Sequence, residues 1–150
     1  MAKLLAAVAA FLEGQGWAHE ELPGAAMSFP FQGDEERWNC YAEAQEEHQR
    51  VTFYSVCPFN IPGEQRLATA EFITRVNYGL IVGNFELDLR DGELRFKTSV
   101  DVKGATLTPT LVERAVVPNL HAMNAYLPGI TAIVRGELDT PEQLVAELDR

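Results

Sequence analysis

Hydrophobic positions along the chain follow two periods, and the places where one gives way to the other mark out its elements. Leu4, Leu5, Val8, Phe11 and Leu12 recur at i, i+1, i+4, i+7 and i+8, one apolar stripe of a helix with Gly14 as its expected stop. From Met27 the period drops to two. Met27, Phe29 and Phe31 share one face of a strand, as do Trp38, Cys40, Ala42 and Ala44, and then Val51, Phe53, Ser55 and Cys57. Pro30 lacks the N–H that a ladder needs, which places its strand at a sheet edge. The segment EEHQ at 46–49 joins the second and third strands as a hairpin turn. The opposite face of that hairpin carries Tyr41, Tyr54 and Val56, where a solvated face would be polar. Regular aromatic spacing favours a second packing layer there over a partner surface.

Two prolines in CPFNIPGEQR then open a helix. Phe72, Ile73, Val76 and Leu80 hold helical spacing past Gly79, so the helix is expected to continue through Gly79 and to stop at Gly83. Asn77 shares the face of Ile73 and Leu80, and a buried amide there must find partners. The backbone of a neighbouring loop is the favoured partner, a ligand the alternative. Two alternating runs follow around Asp91 and Gly92, the residues of a two-residue type I′ turn. Such a turn sets Glu86 opposite Lys97, Asp88 opposite Arg95 and Arg90 opposite Glu93. On the other face it sets Phe85 opposite Thr98, Leu87 opposite Phe96 and Leu89 opposite Leu94. Thr108 and Pro109 open a C-terminal helical region with the stripe Val112, Val116, Leu120, Met123, Leu127, Ile130 and Val134. Kinks or breaks are expected at Pro118 and at Pro128 with Gly129. Thr140, Pro141 and Gln143 start a last short helix ending near Asp149. The order helix, three strands, helix, two strands, helix reads as an α+β fold with five strands, in one domain over residues 1–150.

Composition narrows the function classes. A hydrophobic content of 47% in 150 residues suffices for a core without disulfide or metal staples. The formal charge of −10 repels a phosphate backbone, which argues against direct nucleic-acid binding and favours a partner with a basic surface. The acidic runs Asp34–Glu36 and Glu46–Glu47 flank strands and read as solvated turns. Cys40 and Cys57 have no metal-ligand spacing and read as reduced thiols of a cytosolic protein. A two-residue turn at His48 and Gln49 would place them directly opposite each other, and a four-residue turn would offset them. Near the N-terminus Lys3 precedes nine apolar residues, but Glu13, Gly14, Gln15 and Gly16 follow instead of a small-residue cleavage site, which favours a helix over a secretory leader. No apolar run approaches the ~18 residues of a membrane span.

Catalytic and cofactor signatures are missing from the sequence. His19, His48 and His121 are isolated. His19 with Glu20 and Glu21 comes nearest to a metal cluster and falls short of three or four convergent ligands. GLIVGN lacks the Lys and Ser/Thr of a phosphate loop. No Ser lies in a GxSxG elbow, and neither Cys has an adjacent base. The expectation is a non-enzyme with no metal and no cofactor.

The stretch from PFNIPGEQR through RVNYGLIVGNFELDLRDGELRFKTSVDV, with the order of elements, resembles the YbjN family of bacterial proteins, often described as sensory transduction regulators. The resemblance is closest over 58–102 and looser over 17–57 and 106–136. Asn77, Gly83, Asn84, Phe85, Glu86, Asp91 and Gly92 carry it, as structural rather than catalytic positions. It implies a type III secretion chaperone-like architecture, a curved antiparallel sheet with helices packed on it, commonly dimeric. It also implies a protein-binding module. The expected function is therefore a cytoplasmic, homodimeric chaperone-like or adaptor protein whose client has a basic surface, such as a protein that itself handles nucleic acid. The alternative is a small-molecule sensor with a pocket between the sheet and the helix around Pro118 and Pro128. Two features point to partner surfaces independently of the family. Ala6, Ala7, Ala9 and Ala10 fill positions that a surface helix gives to charges, making Ala6 and Ala10 candidate dimer contacts. Tyr41, Tyr54 and Val56 are the candidate contacts on the sheet.

Overall fold

The computed structural model describes residues 2–137. Helix α1 (Lys3–Gln15) buries the stripe read from the sequence, Leu4, Leu5, Val8, Phe11 and Leu12, together with Ala9. Its first residues have no cap of their own, because Ala2 offers no side-chain acceptor. The Glu46 carboxylate takes that place, accepting the Leu4 N–H at 3.1 Å and the Leu5 N–H at 3.4 Å. Glu46 is thus a structural group rather than a solvated turn charge. The helix ends two residues beyond the expected stop, where Gly16 takes the left-handed conformation.

Six strands follow: β1 (Glu20–Leu22), β2 (Ala26–Gln32), β3 (Arg37–Gln45), β4 (Arg50–Val56), β5 (Asn84–Leu87) and β6 (Leu94–Asp101). They form one antiparallel sheet in the order β1-β2-β3-β4-β6-β5. The sheet has six strands where five were expected, because β1 is three residues long and too short to show an alternation. β1 pairs only with Ala26–Ser28, so the Pro30 end of β2 remains an edge. Pairing of Gln45 with Arg50 makes 46–49 a four-residue turn. Cys40 then faces Ser55, and Cys57 lies past the end of β4, so the two thiols are offset and free.

Helix α2 (Arg66–Gly79) buries Thr69, Phe72, Ile73 and Val76. It stops at Gly79 instead of continuing toward Gly83: the Leu80 N–H bonds to the Asn77 carbonyl, tightening the last turn, and Leu80 is extended. Gly83 then turns the chain into β5 with φ of 77°, and a Cβ there would lie 2.6 Å from Phe96 Cε1. The hairpin β5–β6 keeps the expected faces but not the expected register. Glu86 pairs with Arg95 and Leu87 with Leu94, a shift of two. Asp91 does not take the positive φ that a type I′ turn requires; only Gly92 does, at 82°. The loop is longer, closed by Asp88 N–H to the Glu93 carbonyl at 2.9 Å and Gly92 N–H to the Asp88 carbonyl at 2.8 Å. The segment before α2 sets this geometry: the Ile61 N–H bonds to the Gly92 carbonyl at 2.8 Å, and a Cβ on Gly92 would collide with the Ile61 carbonyl.

Helix α3 (Pro109–Val134) runs unbroken through Pro118 and Pro128. Each proline removes one backbone donor, and the buried residues on both sides, from Val112 to Ile133, hold the helix to the sheet. Its N-cap Thr108 accepts the Leu111 N–H at 3.2 Å, as the sequence leads one to expect. α3 packs on β4 and β6, α1 on β3 and α3, and α2 on β5. The core lies between these helices and the inner face of the sheet, formed by residues such as Met27, Phe29, Ala42, Phe53, Phe85 and Phe96. The expected helix from Thr140 to Asp149 lies outside the described residues. Among the described residues no helix is long and apolar enough to cross a membrane.

Candidate protein-binding surfaces

Strand period two gives every strand a second face, and the outer face of this sheet is covered by no described element. Along β3 and β4 buried residues alternate with exposed or half-buried ones. Tyr41 stands directly across from Tyr54, and both, with Val56, are half-buried on this outer face. Among the described residues no second packing layer of the kind expected covers them. The Arg95 guanidinium lies 4.2 Å from the centroid of the Tyr54 ring. Glu86 receives the Arg95 Nε donor at 3.0 Å and the Lys97 Nζ donor at 2.9 Å. Partial burial works to raise the Glu86 carboxyl, but the hydrogen bonds and charges of Lys97 and Arg95 outweigh it and hold the group below its ordinary range.

The β5 edge of the sheet and the end of β2 that β1 leaves bare are each guarded. The Asn77 side chain accepts the Phe85 N–H at 2.8 Å and donates to the Phe85 carbonyl at 3.0 Å, occupying the outward backbone groups in the middle of β5. Its amide partners therefore lie in the protein backbone. At the other edge, bonds from Gly33 N–H to Glu36 and from Ala44 N–H to Ala25 show that odd-numbered residues of β2 turn their backbone toward β3. Pro30 therefore faces outward, where it has no N–H to offer.

Helix α2 shows the opposite character. Leu67 (79% exposed), Tyr78 (96%), Ile81 (99%), Val82 and Leu89 are the exposed large hydrophobic residues among the described ones: the first two lie on α2, Ile81 and Val82 on the loop after it, and Leu89 on the β5–β6 loop that Arg66 of α2 contacts. The stripe reading followed only the buried side of α2. Leu67 and Tyr78 are eleven residues apart, three helical turns, and that spacing is the signal that could have placed them together. Ala6 and Ala10 are exposed on α1. Since α1 packs on the inner side of β3, they lie across the molecule from Tyr41, Tyr54 and Val56. The structure does not bring the two candidate sets together.

Among the described residues, the space between α3 and the sheet leaves little room for a ligand. The gap between α3 and the sheet, lined by Phe29, Cys40, Phe53, Val116, Asn119 and Leu120, does not admit a water molecule. Asn119 Nδ2 bridges it, donating to the Phe53 carbonyl at 3.0 Å, the Phe96 carbonyl at 3.3 Å and Thr98 Oγ1 at 3.1 Å. Burial pushes the Cys40 thiol up to about 12, against the opposing hydrogen bond from Ser55, and the Cys57 thiol up to about 11. His19 is engaged with the Trp17 carbonyl at 3.2 Å and lies 3.8 Å from Glu13. Among the described residues no group of three or more His, Cys, Asp or Glu is placed to hold a metal ion.

The same architecture recurs in solved structures. YbjN from E. coli superposes with a TM-score of 0.58 at 16% identity, over 82% of this chain and 93% of that one. A chain of the HopA1–SchA chaperone–effector complex gives 0.53 at 15% identity, over 83% and 94%. A chain of the ExsC–ExsE complex gives 0.50 at 15% identity, over 83% and 90%. The fold is thus type III secretion chaperone-like. No curated protein sequence matches the chain. The family model YbjN, "Putative bacterial sensory transduction regulator", matches residues 4–132, from the first turn of α1 to the last of α3, and this chain belongs to the YbjN family.

Proposed function

We propose that the protein is a non-enzymatic chaperone-like or adaptor module, a cytoplasmic homodimer that binds another protein. The observation that carries this reading is the open outer face of the sheet. Tyr41 and Tyr54 pair across its centre, half-buried and under none of the described helices, on a fold shared with a chain of a chaperone–effector complex. Aromatic side chains with a polar tip supply contact area at small entropic cost, which suits a face that is solvated until a client arrives. The charge of −10 favours a client with a basic surface. Affinity capture from the native cell with mass spectrometry tests the reading. A stoichiometric protein partner is expected, and its retention should fall steeply as salt rises from about 0.1 M to about 1 M, where the screening length shrinks from about 10 Å to about 3 Å. Retention unchanged by salt would remove the basic client. Absence of any protein partner, together with thermal stabilisation by a small molecule, would replace the adaptor with a sensor.

A further inference from the structure

We infer that residues 138–150 of this chain dock on the junction where the start of α2 meets the end of α3, as a strap that closes the core there. The inference is independent of the client and homodimer readings, and the segment lies beyond residues 4–132, the stretch that matches the family.

Gln65, the residue that precedes α2, joins the two helices: its Nε2 donates to the Val134 carbonyl at 2.8 Å. Oε1 of the same amide is buried, and among the described residues nothing donates to it. A buried acceptor left unmet is costly, and such atoms are rare in folded proteins, so this one calls for a donor. That donor has to come from close by, because the amide is pinned to the end of α3. The helix ends there in a Schellman turn: the Gly136 N–H bonds to the Ile133 carbonyl at 3.0 Å and the Glu137 N–H to the Ala132 carbonyl at 2.9 Å, with Gly136 at a φ of 68°. Residues 136 and 137 have thus used their donors. The next backbone donors along the chain belong to Leu138, Asp139 and Thr140. The surface beside Gln65 is apolar and incompletely covered: Ala68, one turn further along α2, and Val134 are half-buried against the core. The segment supplies the complement. In LDTPEQLVAELDR, Leu144, Val145 and Leu148 recur at i, i+1 and i+4 among Glu142, Gln143, Glu147 and Asp149, the spacing of one apolar helical stripe. A helix of that length does not persist in water unless a surface takes up its stripe. Residues 138–143 lead to the stripe and span at most about 20 Å. That length serves the junction where they begin, whereas the outer sheet face lies on the far side of the sheet from α3.

Native-state hydrogen exchange of the full chain tests the strap, with two variants: Leu144→Asp combined with Leu148→Asp, and Gln65→Met. With the stripe spoiled, the amides of residues 70–73 in α2 and 131–134 in α3 should exchange at least about tenfold faster, while those of β3 and β4 keep their rates. Gln65→Met removes both functions of the amide at similar length and should loosen the same amides. Adding it to the segment variant should then loosen them little further, because both break one contact. Unchanged rates at 70–73 and 131–134 in the segment variant would overturn the inference. Equal acceleration in β3 and β4 would overturn it too, since the segment would then support the whole fold and not this junction. Effects that multiply in the combined variant would place the segment away from Gln65. A difference between wild type and segment variant that vanishes on dilution would place it on a second copy and overturn the strap within one chain.

Discussion

Three asparagines join helices to the sheet. Asn77 ties α2 to β5, Asn119 ties α3 to β4 and β6, and Asn124 holds the β2–β3 turn by accepting the Asp34 N–H at 2.8 Å and donating to Asp34 Oδ2 at 3.0 Å. The first was legible because helical spacing put it on a buried face. Asn119 lies on the α3 stripe beside Leu120, where apolar periodicity carries no signal for a buried amide, and nothing in the sequence links Asn124 to a turn ninety residues earlier. Glu86 was recognised as a partner of Lys97, but its second partner, Arg95, depended on the register. Its lowered pKa has a definite sign. The folded state holds the proton less tightly than the unfolded chain, so the cluster's stability is fully present above the unfolded value near 4.3 and is lost as pH falls through the lower folded value. Glu86→Gln should therefore cost about 0.5 to 1 kcal/mol at neutral pH, discounted because the cluster is about a third exposed. Urea midpoints of the two proteins should converge on acidification. A gap that stays constant down to about pH 3 would show that the carboxylate's charge is not the source.

Periodicity located every element of the sheet longer than three residues, along with α1, α2 and α3, because each buries one continuous stripe. What it could not give were features decided by distant contacts. The β5–β6 register follows from Ile61 bonding across the loop at Gly92, and no local turn rule contains that residue. α3 survives two prolines because its stripe is held by the sheet, whereas sequence rules weigh only the lost hydrogen bonds. Two glycines separate local strain from tertiary seating. Gly92 and Gly104 have nearly the same φ, 82° and 79°, but a side chain at Gly104 would enter open space. Gly104→Ala should cost about 1 kcal/mol from backbone strain. Gly92→Ala should cost about 2 to 4 kcal/mol, because the loop must also move off Ile61. Chemical denaturation decides between them: equal losses would mean that the 58–62 segment is not seated against the loop.

The molecule as a whole guards its β5 edge and the Pro30 end of β2 and leaves side-chain surfaces open. Partners are thereby steered toward the outer sheet face and the α2 face, and away from strand addition. Pro30→Val would restore an outward N–H on β2, and Asn77→Ala would free the Phe85 N–H and carbonyl on β5. The double variant should show concentration-dependent light scattering and thioflavin binding that the wild type lacks; clear solutions at equal concentration would mean the edges are protected by something else. The outer face itself was half legible. Alternation revealed Tyr41, Tyr54 and Val56, but whether a helix would cover them depended on how all three helices share the inner side. The borrowed cap on α1 has a consequence for biosynthesis. A helix of thirteen residues is marginal alone, and its capping carboxylate lies 42 residues downstream of Leu4. At about 5 to 20 residues per second the ribosome needs about 2 to 8 s to make that stretch. During that interval the nascent α1 segment presents Leu4, Leu5, Val8, Phe11 and Leu12 without the hairpin that will later shelter and anchor them.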